Sequence, residues 1–124
     1  MGKTVLIVDD SSTMRKIVTR SLRQAGLEFD RVLEAGDGQA ALDILANESP
    51  DIILSDINMP VMDGIEFLKA KAANSSIKEI PVVMVTTEGG SQDMVDQSKA
   101  LGAAGCVKKP FTPDLINEVI SPLL

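Results

Sequence analysis

Three runs of strand length, Thr4–Val8 (TVLIV), Asp51–Ser55 (DIILS) and Pro81–Thr86 (PVVMVT), are rich in Val and Ile and show no polar alternation. Runs of this kind are how parallel strands covered on both faces read. Two weaker segments, Asp30–Ala35 (DRVLEA) and Gly105–Lys109 (GCVKK), are the remaining strand candidates, the latter polar enough for an edge.

Between these runs the period changes. Met14, Ile17, Val18, Leu22 and Ala25 recur at spacings of three and four, and Gly26 follows where such a helix would end. Ala41, Leu42 and Leu45 mark a second helix after Asp37, and Ile65, Leu68 and Ala72 a third after Asp63, each aspartate serving as N-cap. A fourth runs over Ser91–Leu101, its start blurred by Gly89 and Gly90. The fifth has the clearest entry: Thr112 as N-cap, Pro113 at the first helical position, Asp114 next, then Ile116, Val119, Ile120 and Leu123. The order is β-α repeated five times with short connections. Right-handed crossovers then give an α/β fold, a parallel sheet with helices on both faces.

Composition narrows what such a fold does here. The 124 residues, 44% hydrophobic, suit a single domain spanning 1–124. No run of 18 or more uninterrupted apolar residues is present and the N-terminus has an acid pair where a signal peptide needs apolar residues, so a soluble cytoplasmic protein is expected. Eighteen acidic against 12 basic residues, a net charge of −6, argue against nucleic acid or a membrane surface as partner. The chain has one cysteine and no histidine, which excludes an internal disulfide, a Ser/His/Asp triad, a histidine metal site and a phosphohistidine of its own.

In doubly wound sheets, functional groups gather at the carboxyl ends of the strands. The residues found there are Asp9 and Asp10 after the first strand, Asp56 after the third, Thr86 after the fourth and Lys109 after the fifth. Singly, each reads as a cap, a turn residue or a solvated charge. Together they place three carboxylates, a hydroxyl and an ammonium on one edge. Carboxylates about 4 Å apart repel by roughly 4 kcal/mol at a surface-like dielectric, so a cation is required. Lys109 brings one charge, and a hard divalent ion, Mg²⁺ foremost, brings two more through oxygen ligands. Such a site suits an incoming phosphoryl group, with a carboxylate as nucleophile.

The segments LIVDDSSTMRKIV, DINMPVMDG, VMVTTE and KKPF, in this order along essentially the whole chain, resemble the response-regulator receiver family, especially its stand-alone chemotaxis members. The resemblance implies a flavodoxin-like sheet of order 2-1-3-4-5. It implies Asp56 as phosphoacceptor, Asp10 as direct metal ligand and Asp9 as a second acid acting on the metal. Asn58 matches the position whose backbone carbonyl completes the metal site, Thr86 the switch hydroxyl, and Lys109 the lysine that pairs with the phosphoryl group, aimed inward by a cis Lys109–Pro110 peptide. The implied partners are a sensor histidine kinase or phosphotransfer protein and a separate target, docked by a monomer on the fourth helix, fifth strand and fifth helix. Lys99 and Lys108 lie there, although solvated charge explains both. With the chain ending at Leu124 after the fifth helix, no effector domain is expected. The implied protein is a phosphoacceptor switch rather than an enzyme acting on other substrates, in chemotaxis, in a phosphorelay or as a phosphate sink.

Cys106 stands where receivers commonly carry Tyr or Phe, and it is too small to fill and vacate an aromatic pocket. Thr87 replaces a residue that is often small and narrows access, while Asn58 and Glu88 match positions that tune dephosphorylation. Met14, Met84 and Met94 read as core filling. Rival readings fit less well. DINMPV lacks the glycine and glutamate of a calcium loop. Asn58 stands where an aspartyl-phosphate phosphatase has its second aspartate, and phenylalanine is the sole aromatic type for stacking a flavin. A pseudo-receiver serving only as a scaffold does not need the full set of site residues.

Overall fold

A computed structural model describes residues 3–57, 59–86, 92–108 and 112–123, with side chains at all of these except 86, 92–95 and 108. Five strands, β1 (Thr4–Val8), β2 (Arg31–Ala35), β3 (Ile52–Asp56), β4 (Val82–Thr86) and β5 (Gly105–Lys108), alternate with five helices. The helices are α1 (Ser12–Gln24), α2 (Gly38–Leu45), α3 (Gly64–Ala72), α4 (Gln92–Ala100) and α5 (Pro113–Ile120). All strand pairs are parallel, in the order β2-β1-β3-β4-β5, so β5 is an edge as its polarity suggests and β2 is the other.

The apolar runs hide a period of two. Leu6, Val8, Ile53 and Met84 face α2 and α3, packing with Ala41, Leu45, Phe67 and Leu68. Val5, Ile7, Ile52, Leu54, Val83 and Val107 face α1 and α5, packing with Val18, Leu22, Ile116 and Ile120. Both faces being covered, neither set can be polar, and the alternation disappears from the sequence.

Local chemistry sets the helix ends. Asp37, Asp63 and Thr112 are N-caps, their side chains accepting from the backbone N–H of Ala40, Glu66 and Leu115. The Glu66 side chain returns to the Asp63 N–H, completing a capping box. At the end of α1, Gly26 takes φ +81° while its N–H reaches Arg23 O and the Leu27 N–H reaches Leu22 O, a Schellman termination that favours glycine. One expectation shifts: Ile17, on the periodic stripe of α1, is 42% exposed, because the helix rests on Val18, Ser21 and Leu22.

Candidate functional site

Asp56 is the last residue of β3, a central strand, and Asp9 directly follows its neighbour β1, so the sheet register sets both at one carboxyl edge. They are 7% and 3% exposed, and Asp10 beside them is open to solvent. One carboxylate oxygen from each of Asp9, Asp10 and Asp56 lies within 4.8 Å of the others.

Backbone donors hold two of these acids. The Ser11 N–H donates to Asp9 Oδ1 at 2.9 Å, the turn that starts α1, and the Ile57 N–H donates to Asp56 Oδ1 at 2.8 Å. The Asp56 carbonyl accepts from Ser55 Oγ at 2.9 Å. Gly64 packs its α-carbon against that same carbonyl, and its N–H donates to Ile57 O at 2.7 Å, which pins the start of α3 to the end of β3. Between these anchors the chain makes a γ-turn at Val61, φ +65°, closed by Met62 N–H to Pro60 O at 2.7 Å. The Met62 carbonyl in turn accepts from Gly38 N–H at 3.0 Å, tying the loop to α2.

Two of these contributors escaped the sequence reading. Arg15 donates from Nη1 to the Asp9 carbonyl at 2.6 Å and from Nε to Glu34 Oε1 at 2.9 Å, bridging β1, α1 and β2 beneath the acids. Nothing in its local pattern marks it, since it is one of several cations along α1. In sequence Gly64 reads only as the residue after the Asp63 N-cap; its close approach to Asp56 appears once β3 and α3 are packed.

Of the other expected residues, Thr86 is the last residue of β4, paired with Lys108, at the same carboxyl edge, with its side chain outside the described set. Asn58, Thr87, Glu88, Lys109 and Pro110 lie outside the described residues. Cys106 pairs with Met84 across β4 and β5 and is half-buried against the core beneath α2 and α3. Met84 is fully buried and Met14 half-buried, while the Met94 side chain is not among those described. Lys99 is exposed in the last turn of α4.

At about 4.8 Å and an effective dielectric of about 20, each carboxylate pair repels by roughly 3 kcal/mol. Two of the three are almost wholly shielded from water, so solvent cannot dissipate this repulsion. All three donors are hard oxygens, which suits a divalent cation of the Mg²⁺ or Ca²⁺ kind over a soft one. The cluster therefore fits a metal ion.

A family model, response regulator receiver domain, matches residues 5–121. The chain belongs to the response regulator receiver family. This receiver is 41% identical over 121 residues to the chemotaxis protein CheY homolog of Campylobacter jejuni, covering 97% of this chain and 91% of that protein. It is 40% identical to chemotaxis protein CheY1 of Helicobacter pylori, covering 97% and 95%. The structure of the chemotaxis response regulator CheY4 of Vibrio cholerae matches with a TM-score of 0.83 at 39% identity, covering 100% of both chains. The receiver thus has the CheY-like, flavodoxin-like fold expected from its motifs. Among the described residues, no helix is long and apolar enough to cross a membrane.

Proposed function

We propose that this receiver is a phosphorylation switch with Asp56 as its phosphoacceptor. The observation that carries the reading is the position of Asp56: buried at the carboxyl end of a central strand, its carboxylate within 4.8 Å of those of Asp9 and Asp10. A carboxylate oxygen of Asp56 attacks phosphorus in line, the new O–P bond forms, and the P–N bond to a donor imidazole breaks. The donor is a phosphohistidine on a separate kinase or phosphotransfer protein, because this chain has no histidine. Asp9, Asp10, Asp56 and the Asn58 carbonyl would hold Mg²⁺, which when bound neutralises charge on the phosphoryl oxygens.

This chain's own groups do the rest. Ile57 N–H and the packing of Gly64 orient the Asp56 carboxylate, and Arg15 steadies the backbone that carries Asp9 and Asp10. Phosphorylation adds about −1.5 to −2 of charge and three acceptor oxygens. The Thr86 hydroxyl and the Lys109 ammonium bind those oxygens, favouring a second arrangement of β4, α4 and β5. With Cys106 in place of an aromatic ring, the switch runs through Thr86 and Lys109. The output is altered affinity of a monomeric, cytoplasmic, single-domain protein for a separate target on α4, β5 and α5, within chemotaxis, as the names of its relatives suggest. Its catalysis is confined to its own phosphorylation and dephosphorylation.

The test is intact-mass measurement after incubation with acetyl phosphate and Mg²⁺. Wild type gains one phosphoryl group and Asp56→Asn does not; equal labelling of both removes Asp56 as acceptor.

A further inference from the structure

At the opposite edge of the sheet from Asp56, a lysine occupies a position that the helix period reserves for an apolar residue. The buried residues of α3 are Gly64, Ile65, Phe67, Leu68 and Lys71, and Lys71 is 5% exposed. Its Nζ donates to the Lys78 carbonyl at 2.8 Å. An ammonium has three donors. No carboxylate among the described residues comes within 4.0 Å of it, the described ion pairs being Arg15–Glu34 and Arg31–Glu48. A buried cation with no counter-ion in direct contact is costly, and burial lowers the Lys71 pKa accordingly, an effect that Glu79 opposes from a distance.

Lys71 also lines a pocket of about 200 Å³. Its other walls are Leu68 and Ala72 of α3, Lys78 and Glu79 of the α3–β4 connection, and Leu101 and Gly102 of the turn after α4. Lys78 and Glu79 are exposed, so their heads can move apart, whereas the Lys71 ammonium is fixed by its hydrogen bond and its burial. Gly102, at φ +97°, ends α4 with its N–H to Lys99 O and the Ala103 N–H to Ser98 O, so a rigid backbone forms the far wall.

We propose that this pocket binds a small anion, a carboxylate or a phosphate, with the Lys71 ammonium as its fixed anchor and Lys78 as the second cation at the rim. The volume admits a group of a few heavy atoms. An anion there brings into direct contact with Lys71 a counter-charge that Glu79 provides only from a distance, and it bridges α3, whose other end is pinned to Asp56, to the turn that follows α4. The site is independent of the phosphoacceptor reading, since it shares no residue with the acidic edge.

The experiment is an amide NMR titration of the full chain with inorganic phosphate and, separately, with acetate, at constant ionic strength maintained with chloride. It is run on wild type, Asp56→Asn, Lys71→Met and Lys78→Met. Saturable shifts at Ala72, Lys78, Leu101 and Gly102 are expected, with a Kd on the order of 1 mM. They should persist in Asp56→Asn, which separates this pocket from any phosphate bound at the acidic edge. Lys71→Met, an apolar residue of similar length suited to a buried stripe, should weaken binding at least tenfold, and Lys78→Met severalfold. Should Lys71→Met not fold, the Lys78→Met loss and the saturation in Asp56→Asn decide the matter. Linear, non-saturating shifts in wild type, or equal saturation in the Lys71→Met variant, overturn the proposal.

Discussion

Gly64→Ala is the smallest change that reaches the acceptor through packing alone. A β-carbon on Gly64 would overlap the Asp56 carbonyl oxygen and would lie 2.6 Å from Met84 Cε and 2.8 Å from Ile57 Cα. The Met84 methyl can swing away; the two backbone neighbours cannot, because Asp56 ends, and Ile57 directly follows, a strand buried on both faces. The helix must therefore recoil and stretch the Gly64 N–H bond to Ile57 O, now 2.7 Å. Overpacking of this kind costs about 1–3 kcal/mol, and weakening one hydrogen bond adds about 1 kcal/mol. Against this stands a gain of about 0.4–1 kcal/mol from stiffening the unfolded chain. The net loss is about 2 kcal/mol, or roughly 8 °C in Tm for a domain of this size.

Gly36→Ala is the control: a β-carbon there meets no heavy atom within 4 Å and its φ is not in the left-handed region, so it takes the unfolded-state gain without the clash. Urea unfolding followed by far-UV circular dichroism measures both, since the chain has neither Trp nor Tyr. Labelling of Gly64→Ala by acetyl phosphate should fall as well, because the displaced carbonyl belongs to Asp56. A Gly64→Ala midpoint equal to that of Gly36→Ala would refute the close approach as the reason for glycine here.

Three further outcomes follow from the same geometry. Saturating Mg²⁺ at ten times its Kd should stabilise wild type by about 1.4 kcal/mol by mass action, and Asp10→Asn should lose most of that gain; identical thermal shifts in the two proteins would remove Asp10 from the metal set. Val61→Asn should raise stability by about 1 kcal/mol, because a β-branched residue 80% exposed at φ +65° bears the strain with little packing in return, and asparagine tolerates that region; an unchanged or lower urea midpoint contradicts this. Lys71 has a folded-state pKa below its ordinary value, so the folded protein binds fewer protons than the unfolded one between the lowered pKa and 10.5. Wild type should therefore gain stability relative to Lys71→Met as pH rises through that window, and parallel stability profiles for the two would show that Lys71 is not desolvated.

The alternation of strands and helices, the caps Asp37, Asp63 and Thr112, and the glycine stop at Gly26 were legible in the sequence because each depends on residues within a few positions of one another. The carboxyl-edge placement of Asp9, Asp10 and Asp56 was legible too, since in a parallel sheet every strand points the same way and the residue ending each strand must share an edge. What the chain order could not decide was the face on which each apolar side chain packs. Covered strands carry apolar residues on both sides, so Leu6 and Ile7 look alike until α2 and α3 take one face and α1 and α5 the other. Contacts between distant segments were equally hidden: Arg15 reaching the Asp9 carbonyl and Glu34, Gly64 against the Asp56 carbonyl, and Lys71 inside the apolar stripe of α3 beside Gly102. Each depends on the distance between elements that only packing sets. Local periodicity and capping were enough to set the elements, their order and the edge where acids gather, whereas how tightly that edge is held, and the Lys71 pocket at the far end of the same helix, come from long-range packing between elements.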